Sequence, residues 1–181
     1  MTQRTEPRPS SSEGIPGTGV GMVLHPVSTN LLAGLIEAVA AAPFNGRADL
    51  PVLADRLQME ADELFHLAEA LQLLRFGMLS DGDFLLLDAG RSFADLDTDE
   101  RKRMFSQHIL NYVPIISLIR RVLDERPSHS APAARFRNEL EDYMSEDYAE
   151  QTLETVISWA RYAELFAYDE KAEMFSLENP N

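Results

Sequence analysis

The same local pattern occurs twice in this chain, and it limits the folds that the chain can adopt. Residues 75–83 (RFGMLSDGD) and 161–169 (RYAELFAYD) each complete an amphipathic helix and continue as a short apolar stretch. An Asp-containing turn and a second apolar stretch follow, at residues 84–87 and 173–177. A helix–turn–helix followed by such a hairpin is typical of a winged helix. The sequence therefore predicts a mainly helical fold with short β-hairpins, built from two winged-helix-like units in tandem.

Polar side chains suited to cap helices stand where the apolar helical spacing begins. They are Ser28 or Thr29, Asp49, Asp62, Asp97 or Thr98, Ser130 and Ser145. Asp49 and Ser130 are each followed two residues later by a proline, which is tolerated in the first turn of a helix. We place the first winged-helix-like unit at residues 28–96 and the second at residues 128–178. Residues 76–79 should pair antiparallel with 84–87, and 165–168 with 174–177.

Three segments lie outside the two units. Residues 1–27 are rich in Pro, Gly and Ser and predict a flexible leader, in which the apolar patch at 20–24 is the part able to dock on the body. Residues 97–127 predict a helical linker. Apolar spacing continues on both sides of Pro114, which favours a kink there over a break. Residues 179–181 form a short tail.

The residue types needed for common catalytic and metal sites are missing or scattered. The chain has no cysteine, which excludes thiol nucleophiles and cysteine-ligated metals. Its lysines are Lys102 and Lys171, and neither follows the glycine-rich loop of a P-loop ATPase. No two histidines have metal-ligand spacing, and we interpret His66 as a boundary or surface residue. The sequence predicts a protein that is not an enzyme and has no catalytic, cofactor-binding or metal-binding residue.

The charge pattern disfavours nucleic acid as a partner. The net charge is −14, and the helices that winged helices would place in a major groove, about residues 62–75 and 146–164, carry more acidic than basic side chains. Basic residues cluster instead on the linker, at 101–103 and 120–126. The sequence has no apolar run long enough to cross a membrane, and we expect a cytoplasmic protein without membrane insertion.

The second copy of the pattern supplies a candidate interaction surface at the junction of the last long helix and its hairpin. The candidate residues are Trp159, Arg161, Tyr162 and Glu164. The alternative is that Trp159 and Tyr162 are core residues and that Arg161 pairs with a helix carboxylate.

Several segments together resemble the AAA-associated C-terminal domain, which is found behind the ATPase of nitrate/sulfonate/bicarbonate-type ABC importers. They are residues 46–51 (GRADLP), 53–57 (LADRL), 100–105 (ERKRMF), 108–114 (HILNYVP), 119–123 (IRRVL) and 159–166 (WARYAELF). The resemblance covers roughly residues 27–177 but includes no nucleotide-binding domain. It implies a regulatory or interaction role beside a transport ATPase and brings no catalytic residue with it.

We therefore expect a non-enzymatic regulatory and protein-interaction domain whose partner is a transporter ATPase or another protein. Through that partner it would be peripheral to the inner membrane. Two alternatives stay open: a winged-helix transcriptional regulator that binds DNA as a dimer, and a small-molecule sensor with an apolar pocket between the repeats. The sequence leaves the partner, any ligand and the formation of a homodimer undetermined.

Overall fold

The computed structural model describes residues 19–177. Residues 1–18 of the predicted leader, and the predicted tail, lie outside this range. Within it the chain forms eight helices and two small antiparallel sheets of three strands each. The predicted fold class, mainly helical with short β-hairpins, is confirmed at this level. No helix in the described range has both the length and the apolar character needed to cross a membrane.

The elements fall into two series with the same order, helix–strand–helix–helix–strand–strand. The first series is α1 (Thr29–Ala40), β1 (Arg47–Asp49), α2 (Leu50–Leu57), α3 (Ala61–Leu73), β2 (Gly77–Ser80) and β3 (Asp83–Leu86). Two helices follow it, α4 (Asp88–Asp95) and α5 (Thr98–Tyr112). The second series is α6 (Pro114–Glu125), β4 (Ser130–Pro132), α7 (Ala133–Glu141), α8 (Glu146–Tyr162), β5 (Ala167–Asp169) and β6 (Met174–Ser176).

Both predicted hairpins are confirmed, although β2 begins at Gly77 and β5 at Ala167, one and two residues later than predicted. Each hairpin also gains a third strand that the sequence does not predict. β2 pairs antiparallel with β3, and β5 with β6. β1 and β4 add to the far sides of β3 and β6, so both sheets have the same strand order. At the centre of each sheet an alanine opposes a phenylalanine, Ala48 opposite Phe84 and Ala131 opposite Phe175, and all four are buried.

The predicted helix caps are confirmed at four positions and wrong at two. The side chains of Ser28, Asp49, Asp97 and Ser145 accept backbone N–H groups at the starts of α1, α2, α5 and α8. Asp62 lies inside the first turn of α3, where its carboxylate interacts favourably with the helix dipole but does not cap the helix. Ser130 lies in β4, because pairing with β6 satisfies its backbone, and α7 begins only at Ala133 without a side-chain cap.

α3 and α8 end with the same hydrogen bonds, which defines how the two repeats correspond. The Phe76 N–H donates to the Leu71 carbonyl, and the Leu165 N–H donates to the Ala160 carbonyl. The residues before them, Arg75 and Glu164, are left-handed with φ of 64° and 56°. This is the Schellman ending of a helix. Arg75 therefore corresponds to Glu164, although the sequence patterns align it with Arg161.

Pro114 interrupts the predicted linker helix instead of only kinking it. Val113 has φ −119° and ψ 89°, so α5 ends before it and α6 begins at Pro114. Proline lacks the N–H that would donate to the Leu110 carbonyl and disfavours a helical conformation in the residue before it. The Ser117 hydroxyl donates to that carbonyl instead. The element order consequently groups α6 with the second sheet, although the sequence assigns these residues to the linker.

We expect Ser117→Ala to lower the free energy of unfolding by about 1 kcal/mol, because the part-buried Leu110 carbonyl loses its donor. In a Pro114→Ala background the same change should have a smaller effect, since the substituted residue supplies a backbone N–H for that carbonyl. Urea unfolding of the four members of this cycle measures the coupling. An effect of Ser117→Ala that is equal in both backgrounds would show that the hydroxyl does not replace the missing donor.

Residues 22–27, which we call the strap, lie along α8. The sequence assigns them to the leader, and the docking that it allows for the apolar patch at 20–24 is observed. Met22 and Leu24 are buried in the core. The hydrogen bonds that join the strap to α8 include three at buried side chains of the helix: from the Leu24 N–H to Thr152 Oγ1 at 3.2 Å, from Thr155 Oγ1 to the His25 carbonyl at 3.2 Å, and from Trp159 Nε1 to the Val27 carbonyl at 3.1 Å. The strap thus supplies an acceptor for the Trp159 N–H and a donor for Thr152 Oγ1, while the Thr155 hydroxyl also has the Gln151 carbonyl as an acceptor.

Candidate functional site

Trp159, the first of the predicted surface residues, lies in the core. Only 1% of it is exposed, and its indole ring meets the edge of Phe105 at a centroid distance of 5.9 Å. Its N–H is bonded to the carbonyl of Val27 in the strap. Trp159 is therefore a core residue, which is the alternative that the sequence left open. It does not belong to an exposed surface at the end of α8.

Arg161 fastens the end of α8 to the hairpin and keeps much of its charge exposed. Its Nη2 donates to the Tyr168 carbonyl at 2.9 Å, and its Nη1 lies 3.3 Å from a carboxylate oxygen of Glu170. The corresponding residue of the first repeat is Gln72, whose Oε1 accepts the Leu79 N–H at 2.8 Å. Both repeats thus use this position as a clamp. Only the second repeat places a guanidinium there, and 47% of that side chain is exposed.

Glu164 extends the same exposed surface toward α5. Its carboxylate lies 3.3 Å from Lys102 Nζ, and 72% of the Glu164 side chain is exposed. Exposed ion pairs of this kind contribute little stability, between about 0 and 1 kcal/mol. Glu164 and Lys102 can therefore separate and each pair with a charged group of a partner, at little cost in folding free energy.

The two tyrosines beside these charges are half-buried. Tyr162 meets the edge of Phe105 at a centroid distance of 5.3 Å, and burial raises the pKa of its phenol while Arg101 and Lys102 act in the opposite direction. Tyr168 lies under the Arg161 guanidinium, 6.0 Å from ring centroid to Cζ. Burial likewise raises the pKa of the Tyr168 phenol. Both phenols therefore stay protonated near neutral pH and are available as hydrogen-bond donors.

A cleft of about 740 Å³ opens between the second hairpin and α6. Its lining includes Arg161, Glu164, Tyr168 and Arg120. Arg120 Nη1 donates to the Leu165 carbonyl at 2.7 Å, which holds the guanidinium at the cleft. The sequence counts Arg120 only as part of a basic linker cluster, because no local pattern relates it to a carbonyl 45 residues later. We call Arg120, Arg161, Tyr162, Glu164 and Tyr168 the junction surface.

The basic clusters predicted on the linker are partly used inside the protein. Arg101 donates to the carbonyls of Phe93 and Ala94 at 3.1 and 2.9 Å and pairs with Glu37 on α1. Its guanidinium also lies 5.1 Å from the centre of the Phe93 ring. Arg101 therefore joins α5 to α1 and to the end of α4, and this reduces the basic surface available for phosphate groups.

Comparison with protein families gives one finding. Residues 51–169 match the family described as the C-terminal AAA-associated domain. This range runs from the first turn of α2 to the end of β5 and includes all five residues of the junction surface. Neither the curated proteins nor the solved structures include a significant match to the chain.

Proposed function

This chain belongs to the C-terminal AAA-associated domain family, and we propose that it is a non-enzymatic regulatory and protein-interaction domain that works beside the ATPase of an ABC transporter. The observation that carries the proposal is the family match over residues 51–169. The sequence resemblance to the nitrate/sulfonate/bicarbonate-type importers indicates the transporter class. On this proposal the protein is cytoplasmic and reaches the inner membrane through its partner.

We propose the junction surface as the contact with that partner. It combines two arginines and two half-buried tyrosines, which are residue types that often dominate the binding energy of protein interfaces. Its exposed ion pairs, Arg161 with Glu170 and Lys102 with Glu164, contribute little to folding and can be exchanged for pairs with a partner. The cleft next to Arg161 and Arg120 fits an acidic side chain of a partner, because arginine guanidinium groups bind carboxylates through several parallel N–H donors.

We interpret the two series of elements as tandem winged helices, because each places a hairpin after a helix–helix pair and adds to it a strand that precedes the pair. In such units the second helix of the pair would face DNA, and here these helices are α3 and α8. The strap covers one face of α8, and its exposed side chains include Glu146, Glu150 and Glu154. Acidic side chains on this helix oppose contact with phosphates. This favours a protein partner over the DNA-binding alternative.

Arg161→Gln tests the contact, because it installs the residue type that the first repeat has at the corresponding clamp. The variant keeps an amide for hydrogen bonding but removes the positive charge. We expect the wild-type chain, used as bait in a lysate of its native host, to recover an ABC ATPase identified by mass spectrometry. Recovery by Arg161→Gln should fall by about tenfold or more, since a buried charge pair across an interface is worth about 1.4 kcal/mol or more.

Gln72→Ala is the matched control. It removes the equivalent clamp of the first repeat, so it reports the effect of loosening a hairpin without touching the junction surface. Recovery with Gln72→Ala should equal that of the wild type. Failure of the wild-type chain to recover any transporter ATPase would contradict the proposed function. If wild type and Arg161→Gln recovered equal amounts of the ATPase, the junction surface would not be the contact with the partner. Salt-sensitive binding of genomic DNA fragments in a gel shift would favour the transcriptional alternative.

A further inference from the structure

The strap and α3 bring two histidines and a carboxylate together, away from the junction surface. One nitrogen each from His25 and His66 and one carboxylate oxygen of Glu69 all lie within 4.8 Å of one another. The two imidazole rings lie 4.2 Å apart between centroids, and His66 Nδ1 lies 3.6 Å from Glu69 Oε2. The group borders a cavity of about 210 Å³ beneath the strap.

Two different elements hold these side chains in place. His66 and Glu69 are three residues apart on α3, so they project from the same face of that helix. His25 belongs to the strap, and its carbonyl accepts the Thr155 hydroxyl of α8. The Gln151 amide of α8 lies 3.4 Å from His25 Nδ1 and orients the imidazole ring. The strap therefore holds one ligand against the pair on α3.

His66 has a polar atom that the protein leaves without a partner. Although 41% of its side chain is exposed, its Nδ1 atom is buried and makes no hydrogen bond among the described residues, since Glu69 Oε2 at 3.6 Å lies just beyond hydrogen-bond distance. A buried nitrogen of this kind loses its bond to water without compensation, so such atoms are rare in folded proteins. A cation between the three side chains would accept the lone pair of Nδ1 and remove that penalty.

We propose that His25, His66 and Glu69 bind a divalent first-row transition-metal ion such as Zn²⁺. Two imidazole nitrogens and one carboxylate oxygen suit Zn²⁺ and its neighbours, whereas Mg²⁺ and Ca²⁺ prefer oxygen ligands. Ligand atoms of a tetrahedral ion lie roughly 3.3 Å apart, given metal–ligand bonds of about 2.0–2.2 Å. The side chains of His25 and Glu69 are exposed and therefore free to rotate, and such rotations would close the remaining distance around an ion. Three protein ligands leave a fourth position for water or another ligand.

The ion would connect the two repeats through the strap. Without it the strap is hydrogen-bonded to α8 of the second repeat, and with it the strap is also bonded to α3 of the first. The sequence predicts no metal site and interprets His66 as a boundary or surface residue. The spacing of His66 and Glu69 on one helix is visible in the sequence, but nothing local relates His25 to them. This site is independent of the proposed transporter function.

The test uses the untagged full-length chain, because a polyhistidine tag would bind the same ions. Calorimetric titration with Zn²⁺ should show one saturable site per chain. Co²⁺ should produce the visible absorption of a low-coordinate nitrogen and oxygen site, and Mg²⁺ should show no binding. His25→Ala, His66→Ala and Glu69→Gln should each weaken Zn²⁺ binding by about tenfold or more. Hydrogen exchange of the strap amides should slow with Zn²⁺ in the wild-type chain and not in His66→Ala.

Two control variants separate this site from general surface binding. Glu63→Gln removes another exposed acid of α3, and His129→Asn removes a histidine of the second repeat in a left-handed conformation that asparagine tolerates. Both should bind Zn²⁺ like the wild type, and circular dichroism should show that every variant is folded. Absence of a saturable site in the wild type would overturn the proposal. The proposal would also be overturned if folded His66→Ala and Glu69→Gln bound Zn²⁺ with wild-type affinity. The same holds if the two control variants lost as much Zn²⁺ affinity as the ligand variants.

Discussion

Replacing Trp159 with alanine is expected to lower the free energy of unfolding by about 3–5 kcal/mol. The side chain is 1% exposed and packs against the edge of Phe105. Its N–H also makes one of the hydrogen bonds that hold the strap on α8, to the Val27 carbonyl. The substitution therefore opens a cavity in the core and loosens the strap at once. Because Trp159 is the only tryptophan of the chain, unfolding by urea should be followed by circular dichroism and not by fluorescence.

Two further variants separate the contributions of Trp159. Trp159→Phe keeps most of the apolar contact and removes the N–H, so we expect the free energy of unfolding to fall by about 1–3 kcal/mol. Ser158→Ala changes the exposed neighbour and should stay within about 0.5 kcal/mol of the wild type. A loss below about 1 kcal/mol for Trp159→Ala would be incompatible with the core position.

Gly90→Ala is expected to lower the free energy of unfolding by about 3 kcal/mol, the upper part of the range for overpacked sites. A Cβ atom on this buried residue of α4 would lie 2.2 Å from the carbonyl oxygen of Phe76. That oxygen accepts the Leu87 N–H at 2.9 Å, and it belongs to the backbone. It cannot move aside as a flexible side chain would. The helix must shift away from the first hairpin to make room, which separates α4 from the core.

Gly34→Ala provides the matched control, because it makes the same change in a helix without crowding. Gly34 lies exposed in α1, and no atom outside its own helix lies within 4 Å of the added Cβ. We expect the free energy of unfolding of this variant to rise by about 0.5–1 kcal/mol, since alanine loses less backbone entropy than glycine when a helix forms. Thermal and urea unfolding of both variants should give shifts of opposite sign. Shifts of the same sign would contradict the packing of α4 against Phe76.

Local patterns in the sequence were sufficient for most helices and for both hairpins. The strands around Asp81 and Gly82 illustrate the reason. A turn with positive φ at both residues connects two short apolar stretches, so the pairing of β2 with β3 follows from neighbouring residues. Apolar spacing likewise predicts helices because the helical period places every third or fourth residue on the same face. Such signals operate within a few residues, and a single chain displays them directly.

Tertiary contacts decided the features for which distant segments compete. Ser130 is suited to cap a helix, but its backbone pairs with Ser176 of β6 and the cap is not used. Trp159 belongs to the core because the strap, far away in sequence, covers it and accepts its N–H. His25 reaches His66 and Glu69 for the same reason. The stabilisation from burying these groups depends on which distant segment packs over them. Residue types and spacing therefore determined the helices and hairpins, and the packing of distant segments determined the third strands, the strap and the proposed metal site.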